Sequence, residues 1–242
     1  MLTYQVLSDR GERKINEDST GVLCLGEQYC FAVADGLGGH GGGDIASRLV
    51  VEKALEVFGQ RAEISPACMG EAFQKGQDSL LERQMESGRS WEMKSTLSLL
   101  FLSKDRFLWG YIGDSRIYRF SGGRYVQRTL DHSVPQMLAA AGEIREEEIR
   151  GHSDRNRLLR VMGTEWNGPR YLLSEVQELE KGDAFLLCSD GFWEWIEEGK
   201  MEECLRKASA AEEWLKAMVR EVRRNGAGKN MDNFSAVCVM CG

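Results

Sequence analysis

Proline and histidine are both scarce in this sequence, at three residues each in 242. With so few prolines, no Ser/Gly-rich stretch and no internal repeat, there is no evident linker, and a single domain over 1–242 is the expectation. The three histidines, His40, His132 and His152, form neither H-x-x-x-H nor H-E-x-x-H, which argues against a histidine-held zinc. No apolar run approaches the roughly 18 residues of a membrane span. Met1 to Arg10 lacks the charged-then-apolar patterning of a secretory leader, so the expected location is the cytoplasm. Basic residues are in the minority, and a net charge of −7 disfavours a protein that displaces counterions from nucleic acid. The seven cysteines are odd in number and several fall in apolar strand-like runs. Buried reduced thiols are expected, not disulfides or a zinc-thiolate site.

What the sequence has in quantity is glycine, 27 residues, concentrated in FAVADGLGGHGGGDIAS at 31–47. Gly36, Gly38 and Gly41 satisfy G-x-G-x-x-G, which in a strand–helix turn cradles a pyrophosphate. Three features oppose that reading. The acid at the required distance, Glu56, falls inside a helical pattern. No Lys-Ser/Thr follows, as a P-loop would need. Asp35 would set a carboxylate against an anionic phosphate in a partly dry site, where like charges repel strongly.

Strand-like runs occur at 2–8, 22–25, 29–34, 96–102, 107–112, 116–120, 125–129, 184–188 and 234–240, many joined by short turn-like links such as GDS and SGG. Helical spacing of apolar residues marks 44–58, a second helix opening at Ser65-Pro66, and a third at 211–224. Strands in blocks and helices in blocks imply antiparallel sheets covered by helices, not alternating βαβ units.

Aspartates stand at the ends of these apolar strands. FAVADG delivers Asp35, FLLCSDG delivers Asp190, FLWGYIGDS ends in Asp114, and Asp232 in MDNFSAVCV opens the last strand; NED adds Glu17 and Asp18. Any one Asp-Gly is explained by a turn. Gathered at one rim of a sheet, several carboxylates cannot all stay ionised without cations, and all-oxygen ligands select Mg²⁺ or Mn²⁺ over zinc.

Together SDRGERKINED, FAVADGLGGHGGG, MKSTLSLL, GDSRIYRF, LDHSVPQ, LLCSDGFWE and MDNFSAVCV, in this order, run nearly end to end. They resemble the metal-dependent protein serine/threonine phosphatases of type 2C, the PPM family, in its bacterial short form. The resemblance implies an α+β fold, a sandwich of two antiparallel β-sheets flanked by α-helices on both sides. It implies two Mn²⁺ or Mg²⁺ ions bridged by Asp35, with the Gly36 carbonyl on one and Asp190 and Asp232 on the other. Asp114 with Asp190 would form a weaker third site, and Asp18 and Glu17 would act through metal-bound waters. A hydroxide bridging the two ions would attack phosphoserine or phosphothreonine without a phosphoenzyme. Arg13 would clamp the substrate phosphate, so that its loss would leave cation binding nearly unchanged. No C-x5-R loop is present for a cysteine phosphatase, and Cys188 lies in an apolar strand.

Three positions depart from the pattern. Leu37 stands where relatives carry a proposed acid, leaving His40 or a bound water to protonate the leaving group. Lys94 replaces a glycine before Ser95 and Thr96. The 135–160 segment, with its EIREEEIR run, matches a variable flap that gates substrate, or else is a solvated helix face. His132 is expected to be structural. Phosphorylated proteins, a Ser/Thr kinase or its substrates among them, are the implied partners of a monomer. A pseudophosphatase binding module and a hydrolase of small phosphate esters remain as alternatives.

Overall fold

The computed structural model describes residues 2–38, 42–88 and 92–242. The chain runs β1 (Leu2–Asp9), β2 (Asp18–Leu25), β3 (Gln28–Leu37), α1 (Gly43–Arg61), α2 (Pro66–Ser87), β4 (Lys94–Ser95), β5 (Leu97–Leu102), β6 (Arg106–Ile112), β7 (Arg116–Ser121), β8 (Arg124–Arg128) and α3 (Val134–Ala140). A 3-10 helix (Glu146–Gly151) follows, then β9 (Leu172–Leu173), β10 (Gln177–Glu178), β11 (Ala184–Cys188), α4 (Asp190–Trp193), α5 (Glu198–Arg206), α6 (Ala211–Gly226) and β12 (Phe234–Cys241).

Two antiparallel sheets result. One has the order β1-β12-β11-β7-β8, and the other β10-β6-β5-β3-β2, with β4 added to β3 and β9 to β6. Period-2 alternation splits each strand between two cores. In β3, Phe31 and Val33 join Leu100, Phe107 and Trp109 against Phe185, Leu187, Val237 and Val239 of the facing sheet. Cys30, Ala32 and Ala34, on the opposite face of β3, pack under Val50, Phe58, Met69 and Phe73 of α1 and α2. Leu186, Cys188, Ala236 and Cys238 turn the other way, under Phe192, Met201, Trp214, Met218 and Val222 of α4 to α6. The arrangement is the expected α+β sandwich, with helices on both outer faces.

The helix at Ser65-Pro66 begins as the sequence indicates, with the Ser65 side chain accepting from the Cys68 backbone N–H at 3.2 Å. The GDS link is not a hairpin. Residues 113–115 carry the chain from β6 in one sheet to β7 in the other, which sets Asp114 at the crossing. SGG, between β7 and β8, does close a hairpin. Cys238 and Cys241 do have the C-x-x-C spacing, although no such pair was expected. Three residues apart in a strand they face opposite ways, Cys238 into the helix-covered core and Cys241 towards the inter-sheet core, and all seven cysteines are free. Among the described residues no helix is long and apolar enough to cross a membrane.

The inter-sheet core is the part that large-to-small substitution should damage most. Phe185 is fully buried and meets the Phe107 ring edge-on at 4.8 Å. Phe185→Ala is expected to cost about 3–5 kcal/mol, whereas Met85→Ala, at a side chain 75% exposed, should stay within about 0.5 kcal/mol. Urea unfolding midpoints at constant m-value measure both.

Candidate metal centre

A cleft of about 530 Å³ opens where the strand ends of the two sheets meet, lined by Asp35, Gly36, Leu37, Asp114, Asp190 and Asp232, with Arg13, Lys14, Glu17, Asn156 and Leu158 among its other walls. Each acid arrives by a different route. Asp35 continues the Phe31–Val33 face of β3, so it caps the core between the sheets. Asp18 starts β2 directly opposite Asp35 in the ladder. Asp190 opens α4 immediately beyond β11, and Asp232 lies just before β12.

Hydroxyl groups hold the backbone of this rim in place. The Asp35 N–H donates to Thr96 Oγ1 at 2.8 Å, the Thr96 N–H returns to the Asp35 carbonyl at 2.9 Å, and Ser95 Oγ donates to the same carbonyl at 3.0 Å. Thr96 Oγ1 in turn meets Ser115 Oγ at 2.8 Å, tying Asp35 to the crossing that carries Asp114. Lys94 does not disturb this region, since β4 pairs regularly with the end of β3, Leu37 opposite Lys94 and Gly36 opposite Ser95. Gly36 is required for a reason the sequence did not reveal. A Cβ there would lie 2.0 Å from the Gly43 carbonyl oxygen and 2.6 Å from that of Glu17, because the end of β3 crosses the start of α1 backbone to backbone.

The carboxylates raise one another's proton affinity. Burial, and after it the charges of Asp190, Asp18, Asp114 and Asp232, hold Asp35 well above the usual carboxylate range. Burial and then Asp114, Glu194 and Asp232 do the same to Asp190. Asp18 is pushed up to about 7 by burial, against the opposing hydrogen bonds of Ser189 and Ser235. Asp114 also reaches about 7, through burial and then the charge of Asp131. Glu17 is raised by burial and by Asp44. Buried oxygens Asp18 Oδ1, Asp44 Oδ1 and Asp114 Oδ1 have no hydrogen-bond partner among the described residues. Unpartnered buried oxygens in a mutually repelling, all-oxygen set are what a hard cation relieves.

That set is not drawn in. Among the described residues no three His, Cys, Asp or Glu side chains are grouped as a closed metal shell would need. One cause is visible at Asp232. Both of its oxygens are taken by Arg13, Nε to Oδ1 at 3.0 Å and Nη2 to Oδ2 at 2.8 Å. Arg13 therefore lies at the cleft with its fork on Asp232.

Several residues that build the site escaped the sequence reading. Asn233 donates from Nδ2 to the carbonyls of Arg10 at 2.8 Å and Ile15 at 2.9 Å, and its Oδ1 accepts from the Glu17 N–H at 2.8 Å. It thereby folds the 10–17 loop onto the cleft; its one sequence signal is its place beside Asp232. Ser189 Oγ donates to Asp18 Oδ2 at 2.7 Å and accepts from the Ser235 N–H at 2.9 Å. Arg116 and Asp131 form a fully buried fork, 2.8 and 2.7 Å, with the guanidinium 3.5 Å over the Trp193 ring, and Trp193 Nε1 donates to the Asp114 carbonyl at 3.0 Å. Asp44, the first acid after the glycine run, closes the group.

Most of the EIREEEIR run is exposed, as a solvated helix face would be, and it is also pinned to its neighbours. It forms a 3-10 helix with Ile149 buried, and Glu146 pairs with Arg128 at 2.6 Å. Arg150 donates to the Trp193 carbonyl and to Glu198 at 2.6 Å, and Arg155 pairs with Glu194 at 2.5 Å. Asn156 and Leu158 of the same segment line the cleft. Leu37 lines it as well, while His40 lies outside the described residues.

The comparisons with known proteins agree with this geometry. A family model for protein phosphatase 2C matches residues 8–236. The chain belongs to the protein phosphatase 2C family of serine/threonine phosphatases. It is 29% identical over 231 residues to the serine/threonine phosphatase stp of Listeria welshimeri, covering 93% of this chain and 91% of that one. The serine/threonine phosphatase Stp1 of Staphylococcus aureus superposes with a TM-score of 0.89 at 25% identity, over 100% of this chain and 96% of the other. The catalytic domain of the serine/threonine protein phosphatase PstP, in a crystal complex with 2 manganese ions, superposes with a TM-score of 0.82 at 29% identity, over 100% and 99%.

His132 is structural. Its Nδ1 accepts from the Gly113 N–H at 3.1 Å, and its ring stacks on Tyr111 at 5.0 Å. Burial, and after it the charge of Arg160, push it down to about 4 from an ordinary 6.5. Between those values the unfolded chain takes up a proton that the folded one refuses. His132 therefore adds stability above pH 6.5 that is lost as the pH falls towards 4. In His132→Gln the thermal midpoint should change less steeply than wild type over that window. The carboxylates contribute alike to both proteins, so the difference in slope isolates the imidazole, and equal slopes would show an ordinary histidine.

Proposed function

We propose that the chain hydrolyses phosphoserine and phosphothreonine in proteins, with Mn²⁺ or Mg²⁺ held at the cleft floor. The observation that supports this most is the group of mutually repelling carboxylates at and behind the cleft, Asp18 and Asp114 each with an unpartnered buried oxygen, beside an arginine fork. In this reading Asp35 and the Gly36 carbonyl, with Asp190 and Asp232, hold two ions. Asp114 with Asp190 offers a weaker third place, and Asp18 and Glu17 act on the water around them. Two such ions would supply activated water for direct displacement at phosphorus, without a phosphoenzyme.

The protein's own groups do the rest. The planar fork of Arg13 matches two phosphate oxygens and offsets their charge. Leu37 and Leu158 give the cleft apolar walls beside its charged floor. Thr96, Ser95 and Ser115 fix the Asp35 backbone, and Asn233 fixes the loop that bears Arg13 and Glu17. Cys188 takes no part, since it is fully buried in the sandwich and burial raises its thiol far above the range of a nucleophile. The partners in this reading are phosphoproteins in the cytoplasm, a Ser/Thr kinase or its substrates among them, and the enzyme acts as a monomer.

The deciding assay uses phosphothreonine and phosphotyrosine peptides with and without Mn²⁺. Hydrolysis of phosphothreonine should vanish in EDTA and return with Mn²⁺ or Mg²⁺, and activity that survives chelation would refute the metal reading. Asp35→Asn should lower kcat by several orders of magnitude while Cys188→Ser keeps most of it; the reverse would mean a different phosphatase chemistry. Arg13→Ala removes a charge-assisted double contact worth about 1.5–3 kcal/mol, so kcat/KM on a phosphothreonine peptide should fall about 10- to 150-fold. Unchanged kinetics would remove Arg13 from the phosphate site.

A further inference from the structure

The roles given to Arg13 and Asp232 compete in the folded chain. The fork of Arg13 lies on both oxygens of Asp232, at 3.0 and 2.8 Å, and the Asn233 N–H adds a third contact to Oδ1 at 2.8 Å. A guanidinium on both oxygens sets a positive charge where a cation would approach Asp232, and with Nε and Nη2 engaged, Arg13 does not present that fork to a phosphate.

We propose that Arg13 is a built-in competitor for the cation at Asp232, and that cation and phosphate binding are coupled through this one exchange of partners. The inference rests on Asp232 being a cation ligand. The exchange is easy because both side chains are accessible, 44% and 40% exposed, and an ion pair at such exposure is weak. It is a side-chain movement only, because Asn233 anchors the surrounding loop at Arg10, Ile15 and Glu17. A cation that takes Asp232 releases the fork to the phosphate, and a phosphate that takes the fork releases Asp232 to the cation. Linkage makes the two effects equal. Lys14, which lines the same cleft, carries the same charge without a fork and makes no such pair.

The test is calorimetric titration of Mn²⁺ into wild type, Arg13→Ala, Arg13→Lys and Lys14→Ala, each first shown by thermal melting in EDTA to be folded. Lys14→Ala removes one positive charge from the cleft and measures that effect alone. Arg13→Ala should bind Mn²⁺ about 2- to 5-fold more tightly than Lys14→Ala, the range an exposed ion pair allows, with Arg13→Lys between wild type and Arg13→Ala. If wild type binds Mn²⁺ and Arg13→Ala binds it no more tightly than Lys14→Ala, the competition is refuted while the metal reading stands. A wild-type chain that takes up no Mn²⁺ at millimolar concentration overturns the metal reading, and the competition with it.

Discussion

Carboxylates buried against one another are the costly interaction around which this molecule is arranged. Each of Asp18, Asp35, Asp114 and Asp190 loses hydration and sits in the field of the others, a combination that favours protonation or a counter-cation. The apolar sandwich tolerates it because the acids are confined to one end of the strands. Most of the remaining inter-sheet space is filled by Phe31, Phe107, Phe185, Leu187 and Val237, and the buried charge beside it is paired, Arg119 lying over the Phe107 ring and donating to Asp183 at 2.9 Å. Nearby polar contacts serve the same constraint. Threonine and serine hydroxyls satisfy the backbone that carries the acids, and a buried Arg116–Asp131 fork with Trp193 above it stiffens the crossing at Asp114. Replacing one of these acids by an apolar residue would remove repulsion, so the cation-free fold should gain stability.

Much of this could be read along the chain. The nine strand-like runs are strands, because segments such as 29–34 and 184–188, buried on both faces, leave short continuous apolar runs. The three long helices announce themselves through apolar spacing and, at Ser65-Pro66, through capping chemistry. The acids at strand ends were visible for the same reason, as polar punctuation at the end of an apolar run. α3 and α5 left little trace, since the first spans 7 residues and the second buries only Met201, Cys204 and Leu205. Such short patterns do not rise above background without the surface they pack on.

What stayed hidden in the site is information about crossings and partners. GDS looks like a hairpin turn until the sheets are known to be two. Gly36 looks like a ligand-side requirement until Gly43 is found against it. Arg13 looks like a residue for substrate alone, because nothing in SDRGERKINED says that Asp232, more than two hundred positions later, lies under its fork. Asn233 is one more polar residue in a loop until its three hydrogen bonds are counted. Long-range pairing decides each of these, and a local pattern carries no record of it.

The first and last strands of the sandwich are neighbours. β1 pairs along its whole length with β12, Leu2 opposite Cys241 and Asp9 opposite Phe234, and no other strand flanks it in its sheet. During synthesis on a ribosome, therefore, the opening segment has nothing to pair with until the closing one has emerged. The loop bearing Arg13 has no Asn233 to anchor it until that moment. Until then the inner faces of β3, β5 and β6 also lack Val237 and Val239 to pack on, and the Arg13 wall of the cleft is unformed. The cleft is then the last feature to close, because Asp232 and Asn233 reach it from the stretch just before β12.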